Sequence, residues 1–132
     1  MPFISNGTVW GSSATGFKNA AAVWEALTHD PAPVPTPHAD AGVGATATIT
    51  GNRLNSRLTI VTGSAPVSGG RLCTLALVGY TNPPTAVPSA SNSESAATFP
   101  RIVTTATVAT LWVSGELEPG TTYIYDLFIA GA

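Results

Sequence analysis

Residues 121–132, TTYIYDLFIAGA, decide the fold of this 132-residue chain. Their alternation and their aromatic and β-branched content make a strand, with Tyr123, Tyr125, Leu127 and Ile129 on one face. Ile124, Asp126, Phe128 and Ala130 fall on the other. Both faces are largely apolar, whereas an antiparallel strand in a small domain usually has one dry face and one wet one. Something must cover the second face.

Towards the N-terminus the same texture recurs in short runs: GATATIT (44–50), SRLTIVT (56–62), RLCTLALV (71–78) and RIVTTATVATLWV (101–113). Turn residues separate them, at Gly51-Asn52, Ser68-Gly69-Gly70, Asn82-Pro83-Pro84 and Glu118-Pro119-Gly120. In the last, Pro119 and Gly120 suit the two central positions of a type II turn. Five to seven short antiparallel strands predict a mainly β fold, a small sandwich or barrel, over residues 43–132.

Residues 1–42 read differently. Phe17, Ala21, Trp24 and Leu27 or Thr28 recur at helical spacing, with Thr15 as a cap and Pro31 as a stop, which predicts one short helix over about 17–28. The four prolines at 31, 33, 35 and 37 then favour an extended connector over 31–38 and are incompatible with a central strand. The expectation is an N-terminal arm separate from the β-module. Phe3, Trp10, Phe17 and Trp24 give it more aromatic side chains than a free linker carries, making them candidate anchors in a partner protein.

Composition narrows the function. Charged residues make up 9% of the chain, against about a quarter in ordinary globular proteins. With a formal net charge of −2 and no basic stripe, nucleic-acid binding is not expected. The single cysteine, Cys73, lies mid-strand as a small hydrophobe, so neither a disulfide nor a cysteine metal site is expected. The start MPFISNGTVW lacks a signal-peptide pattern, and no apolar run is long enough for a membrane helix. The expectation is a soluble protein made in a cytoplasm, with Asn6-Gly7-Thr8 a chance glycosylation pattern.

Catalytic chemistry is poorly supplied. The histidines, His29 and His38, flank the proline run, which is a weak support for a triad. Neither a G-x-S-x-G elbow nor a phosphate-binding Gly-Lys loop occurs. His29-Asp30 and His38-Ala39-Asp40 offer metal-ligand types, but nothing fixes their spacing, and they read as polar residues beside a spacer. Glu116, Glu118 and Asp126 could be searched for a glycosidase pair, but two sit at a turn and the third in a strand. No enzymatic activity and no cofactor are expected.

The two-faced pattern recurs in 71–78, where Cys73, Leu75 and Leu77 alternate with Leu72, Ala76 and Val78, and again around Trp112. So small a module has too little interior for that much apolar surface. Self-association is therefore expected, with Trp112, Tyr123, Tyr125, Asp126, Leu127 and Phe128 as the candidate interface. Asp126, alone among apolar neighbours, needs a partner such as Arg57, Arg71 or Arg101.

The β-module also resembles one found in bacteriophage virion proteins such as tail fibres, head fibres and capsid-attached spikes. The resemblance covers about residues 44–131. It lies in the strand ending Val61-Thr62-Gly63, the run Gly70-Arg71-Leu72-Cys73-Thr74-Leu75, the Pro-led AVPSASN (86–92) and the closing GTTYIY (120–125). The chain departs from it at Arg53 and Asn55, where small or acidic turn residues are usual. The resemblance implies a non-enzymatic homotrimer on the capsid surface: a decoration or cement protein held to the major capsid protein, or another virion protein, through its arm. The alternative is the tip of a short tail fibre binding a host surface glycan, with Trp112, Tyr80, Tyr123 or Tyr125 stacking on sugars.

Overall fold

The structure, a computed structural model, describes residues 31–131, which fall in one unit beginning at Pro31. The expected helix over 17–28 and the aromatic residues Phe3, Trp10, Phe17 and Trp24 lie outside the described residues, as do His29 and Asp30.

Two four-stranded antiparallel sheets face one another as a β-sandwich. The strands are β1 (Val34–Pro37), β2 (Thr46–Gly51), β3 (Asn55–Val61), β4 (Arg71–Ala76), β5 (Thr85–Ala90), β6 (Arg101–Thr104), β7 (Val108–Trp112) and β8 (Thr122–Ala130). Sheet I has the order β1-β4-β7-β6 and sheet II the order β2-β3-β8-β5. A 3-10 turn at Ala39–Ala41 follows β1, and one turn of helix, α1 (Ser93–Ala96), follows β5.

The core is built by alternation. Tyr123, Tyr125, Leu127 and Ile129 of β8 are buried together with Leu58 and Ile60 of β3, facing Leu75 of β4 and Leu111 of β7. In β4 the register shifts between Arg71 and Cys73, so Leu72 is an extra residue in a bulge. Leu72 and Cys73 are consequently both buried, while Ala76 and Val78 point outward. The run that reads as two apolar faces is one inward face with a bulge in it.

The proline-rich segment corrects an expectation. Rather than a spacer, residues 34–37 form an edge strand paired with β4, and Ala41 is fully buried in the core. Prolines are tolerated because β1 is at the edge and Pro35 and Pro37 sit two apart, which turns both missing N–H groups away from the ladder. The intervening phase donates, as His38 N does to Leu72 O at 2.9 Å. Pro88 in β5 uses the opposite edge of sheet II in the same way. Prolines there also blunt edge-to-edge aggregation.

One polar chain crosses the core. The Thr98 hydroxyl donates to Ser95 O at 2.6 Å, so the Tyr125 hydroxyl, 2.8 Å away, must donate to Thr98. Burial pushes Tyr125 up to about 12, keeping it a neutral donor. Thr98→Val leaves a buried phenol without an acceptor and is expected to cost about 2 kcal/mol, whereas Tyr125→Phe costs about 1 kcal/mol. Urea unfolding of the two variants checks that order.

Burial also pushes the Cys73 thiol up to about 12. In the folded protein it is expected to stay unreactive towards an aromatic disulfide reagent at about pH 8, reacting stoichiometrically only on denaturation.

Candidate interaction surface

The outer face of sheet I is organised around Trp112. Cross-strand register places Arg71 of β4 on one side of it and Arg101 of β6 on the other. Their guanidinium carbons lie 5.1 and 5.0 Å from the indole ring centroid, so one tryptophan is stacked by two cations.

Arg71 is positioned from behind. Its backbone N–H donates to Asp40 Oδ2 at 3.1 Å, and its Nε lies 3.5 Å from the same oxygen. Asp40 is fixed because His38 caps the 3-10 turn, Nδ1 accepting from Asp40 N at 3.1 Å. The Arg71 backbone hydrogen bond is the main cause holding the Asp40 carboxyl below its usual range. His38 and Asp40 are thus built parts of the sandwich, rather than polar residues beside a spacer. Arg101 has no carboxylate partner among the described residues.

Along the same face, Val34, Ala76 and Val108 form one cross-strand row. Val34 is 65% exposed and Val103, on β6, 51%. Thr36, Thr74 and Thr110 fill the row between. This is an apolar and hydroxyl surface whose charges gather at the Trp112 end.

The second face of β8, the puzzle posed by the sequence, is the open outer face of sheet II. Ile124 lies beside Thr59, and Phe128, 46% exposed, lies opposite Val87 and Asn55. Asp126 is not a buried charge. It sits directly across from Arg57, with Arg57 Nε 2.8 Å from Oδ1 and Nη2 3.1 Å from Oδ2, and both side chains are about half exposed.

The hydrogen bonds from Arg57 hold the Asp126 carboxyl below its ordinary value of 3.8. The stabilisation it brings is therefore present above that value and lost as pH falls through the lowered folded one. Solvent screening keeps so exposed a pair weak, so Asp126→Ala is expected to fold and to melt close to the wild type at neutral pH. Melting scans from neutral pH down to about pH 3 should converge for the two proteins as the carboxyl protonates.

At one end of the sandwich Glu94, Ala97, Glu116, Glu118, Thr121 and Tyr123 line a pocket of about 410 Å³. Its walls are firmly held. Asn92 and Ser95 form a capping box on α1, and the Tyr123 hydroxyl accepts from Glu118 N at 2.9 Å. Thr62, nearly fully buried, accepts from Thr121 N at 3.0 Å and donates to Glu118 O, tying down the turn between them. Among the described residues no three His, Cys, Asp or Glu side chains are grouped closely enough to hold a metal ion.

Phe99 stands at the same end, 71% exposed and at φ 49°, a left-handed conformation unusual for a bulky residue. The backbone is locked there, since Thr98 O accepts from Ser114 N at 2.8 Å and Gly115 N at 3.0 Å.

Of the residues expected at an interface, Trp112 and Phe128 lie on outer faces, but of opposite sheets. Tyr123, Tyr125 and Leu127 are instead core residues, because the opposing sheet of the same chain covers them. That also removes Tyr123 and Tyr125 as sugar-stacking residues. Tyr80 is half-buried with the Arg53 guanidinium 4.5 Å over its ring. Glu116 and Glu118 do converge on one pocket, but with Glu94 and not with Asp126. Sequence reading missed Glu94, Phe99 and the arginine cradle, all of which depend on loop closure or register.

No family model matches the chain, and comparison with curated proteins and with solved structures finds no similar protein.

Proposed function

We propose that this chain is a structural protein of a bacteriophage virion, a homotrimer that decorates the capsid and is attached through the segment preceding the sandwich. The observation that carries this reading is the outer face of sheet I. There Val34, Ala76, Val108, Val103 and Trp112 form a sheet surface with few charges, on a chain in which only 9% of residues are charged. Such a surface suits packing against copies of the chain and a protein shell. The resemblance of residues 44–131 to virion β-modules supports the same reading.

Its physical action would be mass-action stabilisation: a protein that binds the assembled shell and not free subunits shifts the equilibrium towards the shell. The edge prolines of β1 and β5 suit a protein displayed at high local concentration, where open sheet edges would pair. Quantitative mass spectrometry of purified particles tests the reading. Copy numbers in the hundreds are expected. A handful of copies would indicate a fibre tip binding a host glycan, and absence from the particle would overturn the virion assignment.

A further inference from the structure

Phe99, Arg101 and Trp112 share one end of the sandwich with the pocket of Glu94, Glu116 and Glu118. Among the described residues each half of this arrangement is left incomplete. Phe99 is a large aromatic residue held outward in a backbone conformation that costs about 1–2 kcal/mol for an L-residue. At 71% exposure the ring buries little of itself within the described residues, whereas a docking contact would cover it, and aromatic and arginine side chains dominate binding hot spots.

The charges say what docks. Among the described residues Arg57 pairs with Asp126 and Arg71 with Asp40, while Arg53 stacks on Tyr80 and donates to Gly79 O at 3.1 Å. That leaves Arg101, stacked on Trp112, as a cation without a carboxylate, and the three pocket glutamates as carboxylates without a cation. What the Phe99 and Arg101 side needs is what the pocket side carries.

We infer that this end of the sandwich is a self-docking surface: Phe99 enters the pocket of a second copy between Ala97, Thr121 and Tyr123, and Arg101 meets its glutamates. The knob and the socket are different patches, so each copy gives one and receives one, and a rotation about an axis near this end closes the set into a ring. A pocket of about 410 Å³ has room for an aromatic side chain. The inference rests on the homo-oligomer reading and names the surface that would build it.

Light scattering of the full chain at several concentrations tests it, on the wild type, Arg101→Glu, the double variant Glu116→Arg/Glu118→Arg, and Phe99→Gly, each with a thermal melt as the folding control. All four changed side chains are exposed, so the variants are expected to fold. Either charge reversal should raise the dissociation constant of self-association about 30-fold or more, and combining the two in one chain, which sets opposite charges against each other again at every contact of the ring, should recover it. Phe99→Gly should weaken association yet leave the fold as stable as before, because glycine accepts the left-handed backbone freely. A wild type that associates while the reversed variants associate equally well would overturn the docking surface and leave the oligomer standing. A wild type that stays monomeric throughout would overturn both, and pass the surface to a partner other than a copy of this chain.

Discussion

A chain that starts at Val43 is expected to lose cooperative folding, whereas one that starts at Pro31 keeps it. Removing residues up to 42 strips β1 from sheet I and leaves β4 as a raw edge. It also takes Ala41, fully buried, and Asp40, whose carboxylate accepts from Arg71 N and whose backbone carbonyl accepts from Val67 N at 2.8 Å. The loss combines core, ladder and turn contacts, so it should exceed the ~2–5 kcal/mol of one large core truncation. That is a large fraction of the stability of a domain this size. Circular dichroism melts of the two chains check it. A two-state transition at the wild-type temperature for the shorter chain would show that β1 is dispensable.

The second large effect is expected at Gly63. A β-carbon built there would lie 1.9 Å from Val43 O and 2.9 Å from Ala45 N, both backbone atoms that cannot swing aside. Room could be made only by opening the bridge between Val43 and Ser64, whose two hydrogen bonds measure 3.2 and 3.0 Å, and by loosening Gly63 N from Ala41 O. Gly63→Ala is therefore expected to destabilise by about 3 kcal/mol, at the upper end for overpacking. Gly120→Ala is the contrast. Nothing lies within 4 Å of its β-carbon, and only its φ of 61° resists. It should cost about 1 kcal/mol. Equal effects in urea titrations would mean that the 43–64 contact is not held as described.

Both results bear on how much of the fold is legible in the sequence. The face of β8 carrying Tyr123, Tyr125, Leu127 and Ile129 can be read from alternation alone, and the Pro119-Gly120 turn from its residues. β1 cannot, because an edge strand whose prolines fall on its unpaired side has the same local signature as a polyproline spacer. The bulge at Leu72 is invisible for a related reason: it shifts the period by one, making a single inward face look like two. The apolar excess of residues 71–78 is therefore smaller than their sequence implies. On β8 the second face is real but wetter than its sequence suggests, since apart from Val61 its neighbours on β2 and β3 are threonines, Asn55 and Arg57.

The candidate surface was less legible still. Trp112 could be singled out, but its two arginines come from β4 and β6 and meet it only through register. The pocket glutamates lie on α1 and on the loop before β8, more than twenty residues apart in sequence. Nothing local in the sequence marks Phe99 as exposed. A residue between Thr98 and Pro100, leading into a strand, reads as core, and only the locked carbonyl of Thr98 turns it out.

The most direct single measurement is the mass of the full chain in solution by light scattering, from micromolar to millimolar concentration. A particle of three 13.4 kDa chains that persists on dilution is the result the proposed homotrimer predicts. A mass of one chain across the whole range would contradict it: the outer face of sheet I would then be the ordinary surface of a monomeric β-sandwich.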